Sequence, residues 1–205
     1  MTHCFSRRSF LKGSAAAAVL SSPLLPADAA FSEAENGLFS PVSALCQTQY
    51  GPVKGREGEN GLLCWYGIPY GAAPTGESRW TAPQEPARWH AVRDCTSPAP
   101  AAYQYTTFPL GTEDCLTLDI YSSTEAKKQP VLVYLHGSAA TGSSLELPGC
   151  ELVRDAGCVF VALNYRLGLF GWNCLPALTA DPDATGSFAL LDIARALDWV
   201  RDNID

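Results

Sequence analysis

The sequence predicts an α/β fold in which short antiparallel strands are followed by a βαβ unit. Two continuous apolar runs, "PVLVYLH" (residues 130–136) and "GCVFVALNY" (residues 157–165), have the length and composition of strands buried on both faces. The stretch between them, "SSLELPGCELVRDAG", is helical in its second half and long enough for a right-handed crossover between parallel strands. A strongly amphipathic segment then predicts a further helix.

The N-terminal segment has the layout of an export signal. Paired arginines in "SRRSFLK" (residues 6–12) precede an apolar run at residues 13–25, and small residues at 27–29 suit a signal peptidase. The apolar run is too short and too rich in alanine to span a bilayer comfortably. We therefore expect residues 1–29 to be a twin-arginine signal peptide, with residues 30–205 exported to the periplasm or beyond. The alternative is a basic amphipathic N-terminus of a cytosolic protein.

The elements before the βαβ unit are short. "SALCQTQYGPVKG" and "LLCWYGIPYG" alternate apolar runs with turn residues, and a proline-rich stretch through "APTGESRWTAPQEPARW" follows, so we expect small strands, hairpins and a long meandering loop. "CLTLDIY" (residues 115–121) alternates apolar and polar residues, as a strand does.

The last segment, "GSFALLDIARALDWVRDNID", predicts a helix with Ser187 as its candidate N-cap. Its apolar residues recur at spacings of three and four, and they are Leu190, Leu191, Ala194, Leu197, Val200 and Ile204. Such a face needs a sheet to lie on, and the sequence supplies few parallel strands for one. The pattern therefore predicts a partial fold.

Composition and cysteine spacing exclude several functions. The chain has 205 residues, 47% of them hydrophobic, and a net charge of −7 that argues against nucleic acid as a partner. We expect one globular domain with no membrane span after signal cleavage. Seven cysteines follow the signal without any C-x-x-C pair, so we expect no metal site, and no motif suggests a cofactor. An exported protein favours disulfides, and an odd count leaves at least one thiol free.

Six ordered blocks resemble one family. From about Gln49 to Asn203 the chain is similar to type-B carboxylesterases, the α/β-hydrolases that include the cholinesterases. The matching blocks are "YGPVKG", "YGIPYGAAPTGESRW", "TEDCLTLDIY", "VYLHGSAATGS", "NYRLGLFGW" and "GSFALLDIARALDWVRDNI". The resemblance implies a partial α/β-hydrolase fold, formed by the N-terminal antiparallel strands and the first βαβα units of the central sheet.

The resemblance also implies structural pairs. Arg79 with Glu113, and Arg166 with Asp192, would be ion pairs of the scaffold and not of the chemistry. In the family the cysteine of "EDCL" bonds an upstream cysteine, so Cys115 would pair with Cys95, the candidate that precedes it here.

The loop after the strand "VYLH" is the family's oxyanion hole, where backbone N–H groups stabilise the charge of a tetrahedral intermediate. In the family this loop usually has the sequence His-Gly-Gly-Gly, whereas this chain has His136, Gly137, Ser138 and Ala139. The donors would be main-chain groups of Gly137, Ser138 and Ala139. A Cβ restricts positive φ, so the side chains at 138 and 139 leave the geometry of the hole open. The family resemblance makes His136 structural, and His90 is expected at the surface.

No G-x-S-x-G nucleophile elbow occurs in the 205 residues. We therefore expect the N-terminal part of a serine carboxylic ester hydrolase, truncated before the elbow and lacking the catalytic serine, acid and histidine. Alone it would be inactive; completed, it would act on a small-molecule carboxylic ester. The alternatives are a non-catalytic exported binding module on the same scaffold, and a decayed gene product.

Overall fold

The computed structural model describes residues 44–58, 61–124, 129–147, 149–178 and 186–204. The signal segment, including the expected cleavage site near residue 29, lies outside the described residues. The described part contains a mixed five-stranded sheet with a helix packed on each face, a three-stranded sheet and a two-stranded ribbon.

The elements follow in chain order. The strands are β1 (Leu45–Gln47), β2 (Pro52–Lys54), β3 (Arg56–Glu57), β4 (Leu62–Pro69), β5 (Arg93–Asp94), β6 (Gln104–Tyr105), β7 (Pro109–Leu110), β8 (Thr117–Ser123), β9 (Val131–Tyr134) and β10 (Val159–Leu163). The helices are α1 (Gly149–Ala156), α2 (Gly168–Gly171) and α3 (Phe188–Asn203), with 3₁₀ turns at Gly76–Ser78 and Pro176–Leu178.

The central sheet has the strand order β3-β4-β8-β10-β9. Its first three pairings are antiparallel, whereas β10 and β9 are parallel and are connected through α1. The predicted βαβ unit and the antiparallel strands before it are therefore confirmed. The small sheet has the order β1-β2-β5, and β6 pairs with β7.

Alternation along β4 builds two cores, because successive side chains of a strand point to opposite faces. Leu63 and Trp65 belong to the larger core, which includes Trp199 of α3. Cys64 and Tyr66 belong to the smaller core on the other face, under α1. The sheet is thus covered on both sides, as in an α/β layer structure.

A bulge interrupts the pairing of β4 with β8 between Trp65 and Ile68. Gly67 lies in the bulge with φ 65°, and a Cβ there would come within 2.7 Å of the Ala99 Cβ. The Gly67 N–H, which the bulge turns away from the ladder, donates instead to Asp119 Oδ1 at 2.8 Å. The bulge therefore creates a donor for a buried carboxyl.

Burial along the strands differs from the prediction in one case. All five residues of β10 are buried, as predicted, but β9 is only half-buried and its Leu132 is exposed. The prediction for β9 was wrong because β9 lies at the edge of the described sheet, whereas β10 lies between β8 and β9.

Helix α3 begins after Ser187, as predicted, although the Ser187 side chain makes no capping hydrogen bond. The predicted apolar face was largely wrong. The helix buries a different face, formed by Phe188, Ala189, Asp192, Ala196, Trp199, Val200 and Asn203. Three leucines of the predicted face are 39–53% exposed, namely Leu190, Leu191 and Leu197. The spacing of the leucines predicted the wrong face because the face that packs on the sheet is determined by the buried Asp192 carboxylate and the Trp199 indole.

The expected disulfide between Cys95 and Cys115 is absent from the structure, where both thiols are free and buried. Cys95 is instead held through its backbone, its N–H donating to Lys54 and its carbonyl accepting from Tyr66. Both side chains pack in the larger core as apolar groups. Burial raises the pKa of each thiol, that of Cys95 to about 12.

Candidate active site

The candidate site is the segment that follows β9, residues 136–142, which we call the oxyanion loop. Its first residue, His136, is buried, while the next four residues are exposed. The loop leaves the carboxyl end of a strand in the parallel part of the sheet, where α/β folds place their ligand sites.

Ser138 adopts the conformation that a glycine usually provides. Its φ of 71° is the only positive φ of a non-glycine among the described residues. The Ser138 Oγ accepts hydrogen bonds from the N–H groups of Ala140 at 3.1 Å and Thr141 at 3.2 Å. A left-handed residue costs about 1–2 kcal/mol, and these two bonds offset that cost. The backbone of Ser138 therefore forms the turn, and its side chain stabilises the turn through these two hydrogen bonds.

Three successive N–H groups of the loop have no acceptor within the described part of the chain, namely those of Gly137, Ser138 and Ala139. All three residues are exposed. A Cβ at Gly137 would meet nothing within 4 Å, so the loop is open on this side. The arrangement can receive an anionic oxygen.

His136 supports the loop from behind. Its ring stacks on Tyr165, with the centroids 4.3 Å apart, and the Tyr165 hydroxyl donates to the His136 carbonyl at 2.6 Å. Gly142 has φ 141°, and a Cβ there would lie 2.2 Å from His136 Nδ1. The close approach of Gly142 thus fixes the imidazole against Tyr165.

Two further contacts anchor the loop. The Gln104 side chain donates to the Gly142 carbonyl at 2.8 Å and accepts from the Gly142 N–H at 3.0 Å, which ties the loop to strand β6. The Gly168 N–H, at the start of α2, donates to the Ala139 carbonyl at 2.7 Å. The carbonyl of Ala139 therefore points into the protein.

A buried polar network continues the support beyond the loop. The Ser144 hydroxyl donates to Asp119 Oδ2 at 2.7 Å and accepts from Asn164 Nδ2 at 3.0 Å. The Ser144 N–H donates to Asn164 Oδ1 at 2.9 Å. Burial raises the pKa of Asp119, although the bonds from Ser144 and Gly67 oppose the rise. The network connects the end of the loop to β8 and to the end of β10.

The two arginine–carboxylate pairs differ in burial. Arg79 binds Glu113 through two hydrogen bonds of 2.5 and 2.9 Å, and both side chains are partly exposed. Arg166 binds Asp192 through bonds of 2.6 and 2.8 Å, and both side chains are almost fully buried. The third guanidinium nitrogen of Arg166, Nη1, donates to the carbonyls of Arg79 and Thr81. The Arg166 contacts hold α3 and the segment around residue 80 together.

Comparisons with known proteins show which family the chain belongs to. A sequence profile described as "Carboxylesterase family" matches residues 42–205. The chain belongs to the carboxylesterase family. A second profile, for the twin-arginine translocation signal, matches residues 4–22, and the protein is therefore exported by the twin-arginine pathway.

Relatives share the same portion of the fold. The chain is 40% identical over 169 residues to the para-nitrobenzyl esterase of Bacillus subtilis, covering 77% of this chain and 34% of that one. It is 35% identical to the fumonisin B1 esterase of Sphingopyxis macrogoltabida, covering 77% and 31%. A solved carboxylesterase structure from Geobacillus stearothermophilus superposes with a TM-score of 0.72 at 35% identity, covering 78% and 34%. The chain spans about a third of the length of the relatives it matches. The α/β-hydrolase fold is therefore shown for this portion.

The structure also describes the surroundings of His90 and of the groups that could bind a metal ion. His90 is exposed, as expected. In the described part of the chain, no three His, Cys, Asp or Glu side chains cluster as a metal site would require, and no helix has the length and apolar character to cross a membrane.

Sequence reasoning missed most of the support behind the loop. Tyr165 and Asn164 follow the buried run of β10, and polar residues at a strand end were the available signal. Gln104 gave no signal, because it lies in a proline-rich stretch without periodicity.

Proposed function

We propose that this chain forms the oxyanion-binding N-terminal portion of an exported serine carboxylesterase. The observation that carries the proposal is a row of three exposed residues, Gly137, Ser138 and Ala139, whose N–H groups have no acceptor within the described part of the chain. Buried contacts hold this loop in place, in a chain that belongs to the carboxylesterase family. The substrate is a small-molecule carboxylic ester. Residues 1–29 serve as the export signal, and residues 30–205 form the exported portion.

The chemistry assigns the loop a single role. When a serine oxygen attacks the ester carbonyl, the carbonyl oxygen becomes an oxyanion in a tetrahedral intermediate. Backbone N–H groups already in position stabilise that charge by about 3 kcal/mol each, because they need no reorganisation during the reaction. The Ala139 carbonyl is bonded to Gly168, so it does not turn towards the oxyanion. The His136 contacts and the Gln104 clamp keep the three donors in place.

The nucleophile, the acid and the general base belong to residues outside this chain, in the part of the relatives that it does not span. The exposed edge of β9 and the exposed leucines of α3 support this proposal, since the remainder of an α/β sheet would cover both. Accordingly, the 205-residue chain alone has no esterase activity.

A first test is the mass of the native exported product, detected with an antibody against residues 66–80. We expect a species much larger than ~19 kDa, the size left by cleavage near residue 29 at a typical residue mass. That species should hydrolyse a p-nitrophenyl ester and lose activity with an organophosphate. A product of ~19 kDa that turns over the ester and is labelled by the organophosphate would contradict the proposal.

A second test transplants the portion. Residues 42–205 replace the equivalent part of the Bacillus subtilis para-nitrobenzyl esterase, and Ala139→Pro then removes one donor. We expect the parent chimera to be active and kcat to fall by about 10²–10³ in the variant. If the chimera folds and reacts with the organophosphate but its kcat is unchanged by Ala139→Pro, the proposed oxyanion role of the loop is wrong. A folded but unreactive chimera would favour the non-catalytic binding module.

A further inference from the structure

The smaller core contains two thiols on the same face of the sheet. Cys64 of β4 is buried there, and Cys150, in the first turn of α1, packs against the same cluster and is partly exposed. Both thiols are free in the structure. Neither belongs to the Cys95–Cys115 pair that the family resemblance implies.

The backbone brings these thiols together. Cys64 pairs across the sheet with Tyr121, and Tyr121 pairs with Phe160. A Cβ at Gly149 would lie 2.2 Å from the Phe160 ring and 2.8 Å from the Tyr121 ring. Because only glycine allows this approach, the first turn of α1 lies directly on the two aromatic rings. Cys150, the next residue, therefore reaches the sheet beside Cys64.

The two thiols are also near enough to affect each other's ionisation. The pKa of Cys64 is raised to about 11, first by burial and then by the charge of the neighbouring Cys150 thiol. Both side chains pack in the same cluster, under the first turn of α1, so they lie on the same face of the sheet, where a disulfide could link them.

We propose that Cys64 and Cys150 form a disulfide after export, linking strand β4 to the first turn of α1. The inference rests on the export of the protein and not on its ester chemistry. The link would close a long loop between the first long strand of the central sheet and the crossover helix, so it would restrict the unfolded chain strongly.

The oxidant is a small-molecule or protein disulfide, and the reaction has two steps. The more accessible Cys150 loses its proton to water, and its thiolate attacks one sulfur of the oxidant, releasing the other sulfur as a thiolate. Cys64 then loses its proton and attacks the Cys150 sulfur, releasing the second thiolate. The protein gives up two protons and two electrons, and the oxidant becomes two thiols. Since burial raises the pKa of the Cys64 thiol to about 11, the second step should accelerate as the pH rises towards that value.

A third thiol in this core supplies a matched control. Cys158 is buried in the same cluster, but its Sγ lies 3.6 Å from the Leu152 carbonyl, to which it can donate. It follows α1, at the opposite end of the helix from Cys150. Cys158→Ala therefore removes a thiol from the same core without removing the proposed link.

The test uses the intact exported gene product, unfolded in denaturant at neutral pH with excess N-ethylmaleimide present, digested without reductant and analysed by mass spectrometry. We expect a peptide pair joined through Cys64 and Cys150, and its loss on reduction. Reduced protein should regain the pair with oxidised glutathione. The melting temperature should fall on the order of 10 °C on reduction, in wild type and in Cys158→Ala but not in Cys150→Ala.

Two results would overturn the inference. One is the recovery of Cys64 and Cys150 both carrying the maleimide before and after glutathione treatment. The other is either thiol joined to a different cysteine or to glutathione alone. The Cys150 variant alters a partly exposed position, so the comparison does not depend on a buried substitution.

Discussion

The oxyanion loop and helix α3 both present one face outward, and each is held from behind by buried polar contacts. The loop exposes three residues whose N–H groups have no acceptor among the described residues, whereas the helix exposes Leu190, Leu191 and Leu197. Behind the loop lie side-chain hydrogen bonds and a stacked imidazole. Behind the helix lies a buried ion pair.

The two exposed surfaces are suited to different tasks, the loop to binding a charge and the helix to packing against other parts of a protein. Unpaired donors in a rigid turn can bind a developing negative charge without rearranging, which is what an oxyanion hole requires. Exposed leucines on a fixed helix offer a surface for burial and no chemistry. The buried contacts behind each face therefore decide which part of the molecule a substitution will damage.

The largest effect is expected for the contact behind α3. Asp192→Ala leaves the buried Arg166 guanidinium without its partner, and we expect a loss of about 3–5 kcal/mol in the free energy of unfolding. Glu113→Ala breaks the partly exposed pair with Arg79 and should cost no more than about 1 kcal/mol. Urea unfolding of the intact gene product measures both. Equal losses would mean that burial does not distinguish the two pairs.

A smaller effect is expected for the contact behind the loop. Gly142→Ala places a Cβ against His136 and forces a side chain into φ 141°, so we expect a loss of about 3 kcal/mol. Ester turnover should fall as well, because the imidazole leaves Tyr165. Gly137→Ala is the control, since a Cβ there meets nothing within 4 Å and should leave stability nearly unchanged. Identical unfolding curves for the two variants would show that the loop does not depend on the packed imidazole.

The sequence predicted the architecture better than the packing. The βαβ unit followed from the continuous apolar runs that form β9 and β10, because such runs leave few arrangements of the chain. The inward face of α3 did not follow, because the apolar face was assigned from leucine spacing alone, although the family resemblance already implied that Asp192 pairs with Arg166, 26 positions away. Long-range charge pairing overrides local periodicity, and periodicity alone cannot detect it.

In the candidate site, too, the sequence predicted the position of the loop better than its detailed contacts. The position of the oxyanion loop was predicted from His136 and Gly137, but the conformation of Ser138 was not. A positive φ at serine depends on hydrogen bonds to Ala140 and Thr141 that form only once the turn exists. The Gln104 clamp could not be predicted at all, since it joins residues 38 positions apart without a shared motif.

A still smaller effect should separate the two contributions of Ser138. Ser138→Ala keeps the Cβ in the left-handed region but removes both Oγ bonds, and we expect a loss of about 1–2 kcal/mol. Ser138→Gly loses the same bonds and relieves the backbone, so its stability should stay within about 0.5 kcal/mol of wild type. Thermal melts of both variants test this order. A glycine variant less stable than the alanine variant would mean that Ser138 is not strained.

The smallest effect is a pH dependence from Asp119, the carboxyl at the end of the polar network. Burial raises its pKa above the ordinary 3.8, so the folded protein holds this proton more tightly than the unfolded chain does. As the pH rises from about 4 through the folded pKa, the carboxyl must ionise in a buried site, and stability is lost. Asp119→Asn cannot ionise, whereas any hydrogen bond that it loses costs the same at every pH.

The difference between Asp119→Asn and wild type in the free energy of unfolding should therefore move in favour of the variant as the pH rises above 4. Urea unfolding at a series of pH values measures the difference, and Asp155→Asn, at an exposed carboxyl, controls for the charge removed. A difference that stays constant with pH would mean that Ser144 and Gly67 stabilise the carboxylate enough to cancel its burial. In that case the network behind the loop would hold a full negative charge, close to the site proposed to receive another.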